Sequence, residues 1–189
     1  MPTRPESSAV VGWGSVTPLG ADPDSTWRAF RNGQSGIQVL RDDWSLDLPV
    51  RIGGRVSPSA LESLSPLLRR RTDRCAQLAL VAARQAWAMA SSVTNGIHPS
   101  RIAVVLGTGI GGLSTMHEQH LQLSEGGPDR VNPLTVPMLI PDAPAGQVAI
   151  DLDIQGGAHT PVSACASGAE ALMLAQMLLN DDRADLVLA

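Results

Sequence analysis

The segment from Thr160 to Leu179 constrains the fold of this 189-residue chain more than any other stretch. A short β-branched run predicts a strand over residues 161–164, and an Ala-, Leu- and Met-rich run predicts a helix from residue 169 to about residue 180. Small residues surround a single cysteine, Cys165, between the two. The sequence therefore predicts a thiol at the point where a strand turns into a helix.

Cys165 is a candidate nucleophile. The first N–H groups of a helix are unpaired and carry the positive end of its dipole, so they stabilise a thiolate beside them. Small neighbours permit a tight turn and leave room for a substrate carbonyl. The alternative is a buried cysteine that serves only as a small apolar residue. The helix-start position and the neighbouring Ser163 favour the nucleophile.

The rest of the chain alternates strand and helix patterns, which predicts a layered α/β fold. We expect a disordered lead-in over residues 1–8 and one domain over residues 9–189. The predicted strands are residues 9–13, 101–106, 161–164 and 185–189. The predicted helices are residues 24–31, 67–91, 113–123, 144–150 and 169–180, with residues 36–65 irregular.

Two details of this pattern can be checked against the structure. Asp24 or Ser25 is the expected cap of the first helix, and Gly33 is its expected end. The last predicted strand stops at Ala189 without a turn, which indicates a fragment of a longer protein.

Composition narrows the chemistry that these residues can perform. All fourteen basic residues are Arg, and Tyr is absent. This excludes Schiff-base and P-loop lysines and Tyr-dependent reduction from this chain. The net charge of −4 argues against general nucleic-acid binding.

The two cysteines, Cys75 and Cys165, lack the spacing of metal ligands, and two thiols in a chain of this size favour a reducing compartment. The sequence has no apolar signal region and no apolar run long enough to span a membrane, so it predicts a soluble, cytoplasmic protein.

A glycine motif follows the second predicted strand. Gly107, Gly109 and Gly112 fit the G-x-G-x-x-G fingerprint of dinucleotide-binding proteins. That fold needs an acidic residue after another strand about 20 residues on, and this chain has turn-forming residues there. The simpler interpretation is that these glycines let the backbone pass close to another segment.

The histidines give weaker signals. His117 and His120 are spaced to share a metal on a helix, but a solvated helix face is the simpler interpretation. His159 is a candidate base for Cys165, although a predicted strand separates the two. His98 precedes Pro99 in a loop and is interpreted as structural.

The one dense basic cluster is Arg69–Arg71 with Arg74. It begins the long predicted helix, where positive charge opposes the helix dipole. It is either a solvated face paired with acids such as Asp73 or a contact for an acidic partner.

The segment Val162–Glu170 resembles the active-site segment of the β-ketoacyl-[acyl carrier protein] synthases, the condensing enzymes of fatty-acid and polyketide synthesis. The resemblance continues through residues 12–20, 25–29, 33–37, 70–74, 105–112 and 132–137. Residues 47–54 are similar to the elongating type II synthases of mycolic-acid-producing actinobacteria.

This resemblance implies a thiolase-like fold, in which two similar α/β halves form five layers, αβαβα, and this chain is the N-terminal half. It implies that Cys165 accepts an acyl chain from acyl carrier protein as a thioester. Carrier-bound malonate then loses CO₂, and its carbanion attacks that thioester. The Cys165 N–H would be one donor to the oxyanion.

The resemblance also implies roles for five further residues, with no metal and no organic cofactor. Arg70 and Arg71 would contact acidic carrier protein, and Ile110 would line the floor of the acyl pocket. Leu134 and Thr135 would approach the pocket of the other subunit of a homodimer, in which the strand before Cys165 pairs across the two-fold axis.

Two departures limit the expectation. The two histidines, the lysine and the second oxyanion donor of the family belong to the C-terminal half, so this chain alone is expected not to complete condensation. Asp142 stands where the family more usually has Asn, which could disturb the dimer region.

The retained Cys165 argues against the non-catalytic chain-length factors. The alternatives are a non-catalytic fragment that dimerises or binds carrier protein and, more remotely, a dinucleotide-dependent oxidoreductase.

Overall fold

A short parallel sheet organises the chain in a computed structural model that describes residues 7–189. Of the predicted lead-in, residues 1–6 lie outside the described residues. The strands are β1 Ile37–Val39, β2 Ile52–Gly54, β3 Ile102–Val105, β4 Ala158–His159 and β5 Leu186–Leu188. The helices are α1 Pro23–Arg31, α2 Pro66–Arg71, α3 Arg74–Met89, α4 Ser91–Thr94, α5 Leu113–Gly126, α6 Thr135–Leu139, α7 Ala143–Asp151 and α8 Ser167–Asn180.

The strand β3 is the centre of the sheet and is buried on both faces. Its neighbours are β4 and β5, both parallel to it, in the order β4-β3-β5. Ile102 and Val104 pack into one apolar cluster, which also contains residues of α3 and α7. Ala103 and Val105 point the other way and pack with residues of α8. This alternation makes β3 the layer between two sets of helices.

The carboxyl ends of β3 and β4 lead to the same edge of the sheet. Beyond β3, the Leu106 N–H donates to the His159 carbonyl at 3.0 Å, and the Thr108 N–H donates to the Pro161 carbonyl at 3.3 Å. The glycine motif and the Cys165 turn follow directly from these two strands. Parallel pairing therefore brings the two motifs to the same edge of the sheet.

The start of β5 is fixed by an arginine at the start of β3. The guanidinium of Arg101 donates to both carboxylate oxygens of Asp185, at 2.9 and 2.8 Å. It also donates to the carbonyl and carboxylate of Asp182. The Asp185 N–H donates to the Arg101 carbonyl at 2.7 Å. These bonds set the register with which β5 enters the sheet.

The long predicted helix over residues 67–91 is wrong, because it is divided at Thr72 and Asp73 into α2 and α3. Thr72 is extended, and the carboxylate of Asp73 caps α3 by accepting the Cys75 N–H at 2.9 Å. Its other oxygen accepts the N–H and the hydroxyl of Thr115, at 2.9 and 2.7 Å. Asp73 is therefore a buried link between α3 and α5, not a surface partner for the arginines.

The predicted strand over residues 9–13 is also wrong, since these residues form no strand. They lie against α3, where a Cβ on Gly12 would come within 2.4 Å of the Ala86 carbonyl oxygen. The Ser15 N–H donates to the side chain of Gln85 at 3.0 Å. This segment is held by contacts with α3 rather than by hydrogen bonds to a neighbouring strand.

Three local predictions need smaller corrections. Residues 36–65 are not wholly irregular, because β1 and β2 pair as an antiparallel hairpin. The cap of α1 is Asp22 and not Asp24 or Ser25; Ser25 is the partner of Asp22 in a capping box. Gly33 follows the end of α1 with a φ of 67°, as predicted.

The predicted strand over residues 161–164 is displaced, because β4 lies earlier, at Ala158–His159. The helices predicted near residues 113–123, 144–150 and 169–180, and the last strand, are confirmed. Across residues 7–189, none of the helices has the length and apolar character to cross a membrane.

Replacing Asp73 is expected to destabilise the protein in a pH-dependent way. Burial alone would raise the pKa of Asp73, but the hydrogen bonds from Cys75 and Thr115 outweigh it and hold the pKa below its usual range. The stabilisation is therefore fully present above about pH 4 and is lost as the pH falls through the folded-state pKa. Asp73→Asn should lower the free energy of unfolding at pH 7 by about 2 kcal/mol.

Denaturant unfolding between pH 7 and pH 3 measures this effect. The exposed Asp43, changed to Asn, is the matched control and should leave stability unchanged. Equal stability of Asp73→Asn and parent at pH 7 would contradict the role of this carboxylate.

Candidate active site

Cys165 lies in a single turn of 3-10 helix, Ala164–Ala166, that runs directly into α8 at Ser167. Its thiol is free and exposed. Ala164, just before it, has a φ of 51°, in the left-handed region that residues with a Cβ rarely adopt. The predicted location of the thiol at a helix start is therefore correct, and the turn that carries it is backbone-strained.

The backbone around Cys165 leaves one donor open. The Ala166 N–H donates to the Ser163 carbonyl, and the Ser167 N–H donates to the Ala164 carbonyl. Within the described residues, no acceptor takes the Cys165 N–H. The thiol and an unpaired backbone donor thus belong to the same exposed residue.

A buried serine, Ser167, holds the turn from inside. Its hydroxyl oxygen accepts the Ser163 N–H at 2.9 Å and lies 2.8 Å from the Ala164 carbonyl oxygen. It also lies 3.0 Å from the carbonyl oxygen of Thr108. Ser167 therefore connects the Cys165 turn with the segment that follows β3.

That segment, residues 107–112, is called the glycine loop here. A Cβ on Gly107 would lie 2.3 Å from the Ser167 carbonyl oxygen, and one on Gly112 would lie 2.4 Å from the Met138 carbonyl oxygen. Gly109 would meet nothing within 4 Å. Close backbone approach, as predicted, explains the glycines at the two ends of the motif.

Open space lies beside the thiol and beside the glycine loop. Gly168, in the first turn of α8, has no atom within 4 Å of the position of a Cβ, and neither has Gly109. Ile110 follows Gly109 in the glycine loop, and it is 63% exposed. Gly109, Gly168 and the Cys165 thiol are all exposed.

The other predicted contacts lie on separate elements joined to the glycine loop. Leu134 and Thr135 are at the start of α6, whose carbonyls at Met138 and Leu139 contact the loop. Arg70 and Arg71 are exposed in the last turn of α2. The Asp73 side chain connects α3, which follows α2, to the helix that begins after the loop. The loop is thus the common support of the predicted site.

The histidines take different places. His117 and His120 are exposed on α5, and His98 accepts the Ser100 N–H beside a short 3-10 turn. His159 lies within β4 itself, so it is a strand residue and not a residue before the strand. Within residues 7–189, no three His, Cys, Asp or Glu side chains are grouped closely enough to hold a metal ion.

The second cysteine differs sharply from Cys165. Burial, reinforced by the carboxylate of Asp73, raises the pKa of Cys75 to about 12. Its thiol therefore stays protonated near neutral pH and is a poor nucleophile. Of the two thiols, only that of Cys165 is both exposed and placed at a helix start.

A groove of about 780 Å³ lies elsewhere, between residues 7–14, α3, α8 and β5. Its walls are mostly apolar and include Leu172 and Leu188, but not Cys165. It lies along the β5 edge of the described sheet, away from the Cys165 turn.

Two contributors to the site were not predicted from the sequence as parts of it. The sequence indicates Ser167 only as a small neighbour of Cys165 and gives Glu170 no role, yet the Glu170 carboxylate accepts the Ser163 hydroxyl. The available signal was spacing, because Ser163, Ser167 and Glu170 are four and three residues apart and share one face where a helix begins.

Comparison with known proteins gives a consistent family. The β-ketoacyl synthase N-terminal domain model matches residues 6–189. The 3-oxoacyl-[acyl-carrier-protein] synthase 2 of Staphylococcus aureus strain N315 is 37% identical over 177 residues, which are 93% of this chain and 43% of that protein. The chain thus spans less than half the length of this curated relative.

Solved structures agree on the fold. A β-ketoacyl synthase from Burkholderia phymatum STM815 superposes with a TM-score of 0.80 at 24% identity, covering 94% of this chain and 44% of the other. A type II polyketide ketosynthase solved with its acyl carrier protein gives a TM-score of 0.70 at 18% identity, covering 94% of this chain and 48% of the other. The predicted thiolase-like α/β fold of a ketosynthase N-terminal half is confirmed.

Substitution within the glycine loop tests the close backbone approach at Gly107. Gly107→Ala forces a Cβ onto the Ser167 carbonyl and should lower the free energy of unfolding by about 2–3 kcal/mol, as overpacking does. Gly109→Ala is the matched control, because its Cβ enters open space. Thermal unfolding of both variants of the natural full-length protein checks this; equal destabilisation would contradict the close approach at Gly107.

Proposed function

This chain belongs to the β-ketoacyl synthase family, and on that premise we propose that it is the N-terminal half of a 3-oxoacyl-[acyl carrier protein] synthase whose nucleophile is Cys165. The observation that carries the proposal is the exposed thiol at the start of α8, beside an unpaired backbone N–H and open space. That arrangement suits attack on a carbonyl that must lose a good leaving group.

The first chemical step follows from this geometry. The Cys165 thiol loses its proton, and its sulfur attacks the carbonyl carbon of an acyl group held as a thioester on carrier protein. The carbonyl oxygen becomes an oxyanion, which accepts the Cys165 N–H. The bond to the carrier sulfur then breaks, the carrier thiol takes up a proton, and the acyl group remains on Cys165.

The second step needs groups that this chain does not contain. Carrier-bound malonate must lose CO₂, and its carbanion must displace the acyl group from Cys165. The chain has no lysine. We assign the histidines, the lysine and the second oxyanion donor to the part of the protein that corresponds to the rest of the relatives' length. The 189 residues alone should accept an acyl group at most.

The outer face of α8 supports this division. One stripe of the helix, with Ala171, Ala175 and Leu178, is buried against β3. Leu172, Met173 and Met177 form an opposite stripe that is more than half exposed. A helix that is apolar on both sides is typical of an inner layer. The C-terminal half is proposed to cover this stripe and the free edge of β5.

The acyl chain and the second subunit are assigned to the glycine loop and to α6. The exposed Ile110 forms the floor of the acyl pocket, and Leu134 and Thr135 reach the pocket of a homodimeric partner. The free edge of β4 is available for pairing across a two-fold axis. Asp142, the position that departs from the family pattern, begins α7 without a side-chain capping bond.

The finer assignment is an elongating type II enzyme of the actinobacterial, mycolic-acid type, acting in the cytoplasm. It rests on the similarity of residues 47–54, which include β2. The carrier-protein contact rests on the exposed Arg70 and Arg71 and on the ketosynthase that was solved with its carrier protein.

Removal of the thiol tests the proposed function. The natural full-length protein incubated with acyl-carrier thioester should gain one acyl group on the peptide that contains Cys165, and Cys165→Ala should gain none. Cys75→Ala is the matched control and should be acylated like the parent. Mass spectrometry of the digested protein locates the acyl group.

Two outcomes of that experiment discriminate among the alternatives. Acylation of Cys165→Ala at the parent rate would contradict the nucleophile. If neither the full-length parent nor the 189-residue chain is acylated, the result would favour the non-catalytic alternative.

Charge reversal tests the carrier contact. Arg70→Glu with Arg71→Glu should raise the KM for acyl-carrier substrate by about tenfold at low salt, because an attractive surface becomes repulsive. The effect should shrink as ionic strength rises. Arg51→Glu, an exposed arginine beside the hairpin, is the control and should leave the KM unchanged. An unchanged KM in the Arg70/Arg71 variant would remove these residues from the carrier surface.

A further inference from the structure

The turn that carries Cys165 has a backbone conformation that is intrinsically unfavourable. Ala164 has a φ of 51°, which brings its Cβ close to the following carbonyl oxygen. Ser163, before it, has φ −135° and ψ 43°, outside the regular strand and helix regions. Such a conformation persists only where surrounding groups determine it.

Two side chains of α8 hold Ser163 from different directions. The buried Ser167 accepts the Ser163 N–H at 2.9 Å and so fixes the main chain. The carboxylate of Glu170 accepts the Ser163 hydroxyl and so fixes the side chain. Glu170 is one turn beyond Ser167 on the same helix, so both bonds tie the turn to one rigid element.

The location of Glu170 suits this task. It lies in the first turn of α8, where the helix dipole favours a negative charge, and it is partly buried. A hydrogen bond to an ionised acceptor is about twice as strong as a neutral one. Among the described residues, the contact of its carboxylate is with Ser163 and not with the Cys165 sulfur, so Glu170 acts through the turn.

We propose that Glu170 is a positioning residue for Cys165. Its carboxylate locks the Ser163 hydroxyl, and this bond keeps Ala164 in its left-handed conformation. The thiol and the N–H of Cys165 then face the same substrate carbonyl. This inference rests on the proposed function for the identity of the nucleophile, but the geometry of the turn does not depend on it.

A double-mutant cycle in the natural full-length protein tests the inference. Glu170→Ala and Ser163→Ala should each lower kcat for acylation of Cys165 by about tenfold or more, with KM unchanged, because a small misplacement of a reacting group is costly. The double variant should be no slower than either single variant, because both remove the same bond. Glu170→Gln keeps an acceptor oxygen and should restore most of the lost rate. Glu118→Ala, on exposed α5, is the matched control.

A second readout needs no carrier substrate. The rate at which iodoacetamide alkylates Cys165, followed against pH by peptide mass spectrometry, should change in the same way in Glu170→Ala, Ser163→Ala and the double variant. Cys75 is the internal reference: its pKa of about 12 keeps it unreactive in the folded protein, so its alkylation would report unfolding.

The results separate this inference from the proposed function. Any one of three results would overturn the positioning role. These are parent-like alkylation and acylation in Glu170→Ala, independent effects in the double variant, and failure of Glu170→Gln to restore the rate. Absence of acylation in the parent would overturn the proposed function alone, and the alkylation cycle would still decide the role of Glu170.

Discussion

Burial of β3 on both faces is the constraint on which the rest of the structure depends. Four consecutive apolar side chains alternate between two helix layers, and small Ala103 lets α8 pack close to the sheet. Because β4 and β5 run parallel to β3, the chain leaves β3 and β4 at one edge. The glycine loop and the Cys165 turn therefore lie at the same edge of the sheet.

Two buried polar side chains fix the ends of the glycine loop. Ser167 lies against Gly107 and Thr108 at the strand end, and Asp73 lies against Gly112 at the helix end. Each satisfies backbone N–H groups that would otherwise be buried without partners, which is costly. Ser167 is the first residue of α8, and Asp73 caps the start of α3. Both residues that hold the loop therefore lie where a helix begins. Gly107 and Gly112 are needed because the loop passes close to the Ser167 and Met138 carbonyls, which explains the first and last glycines of a motif that resembles a nucleotide-binding fingerprint.

The sequence was sufficient to predict the elements that are set by strong local patterns. The apolar run at residues 101–106, the last strand and the helices after the glycine loop and after Cys165 are in the structure. It was insufficient where a distant contact decides the outcome. Asp73 divides an otherwise continuous helical pattern because Thr115, 42 residues away, supplies two of its donors. Residues 9–13 are apolar like a strand, yet Gly12 and the nearby Gly14 fit against the backbone of α3. The contact between Ser163 and Glu170 likewise accompanies a left-handed Ala164, which no propensity indicates.

The location of Cys165 also determines what must cover it. Under the proposed function, a thioester on this exposed turn is open to water, and that bond must last until the second substrate arrives. The described residues include the exposed Cys165 thiol and its unpaired N–H, and Ile110 of the glycine loop and Met173 of α8 are both more than half exposed. An acyl chain laid on such an open surface would bury only part of its apolar area, so it would gain less than in a closed pocket. In the proposed full-length enzyme, a second layer closes over α8, and the same side chains become walls of a pocket that both binds the acyl chain and excludes water. The proposal thus assigns the nucleophile and its cover to different parts of the protein, and the strained turn held by α8 is what presents Cys165 to the interface between them.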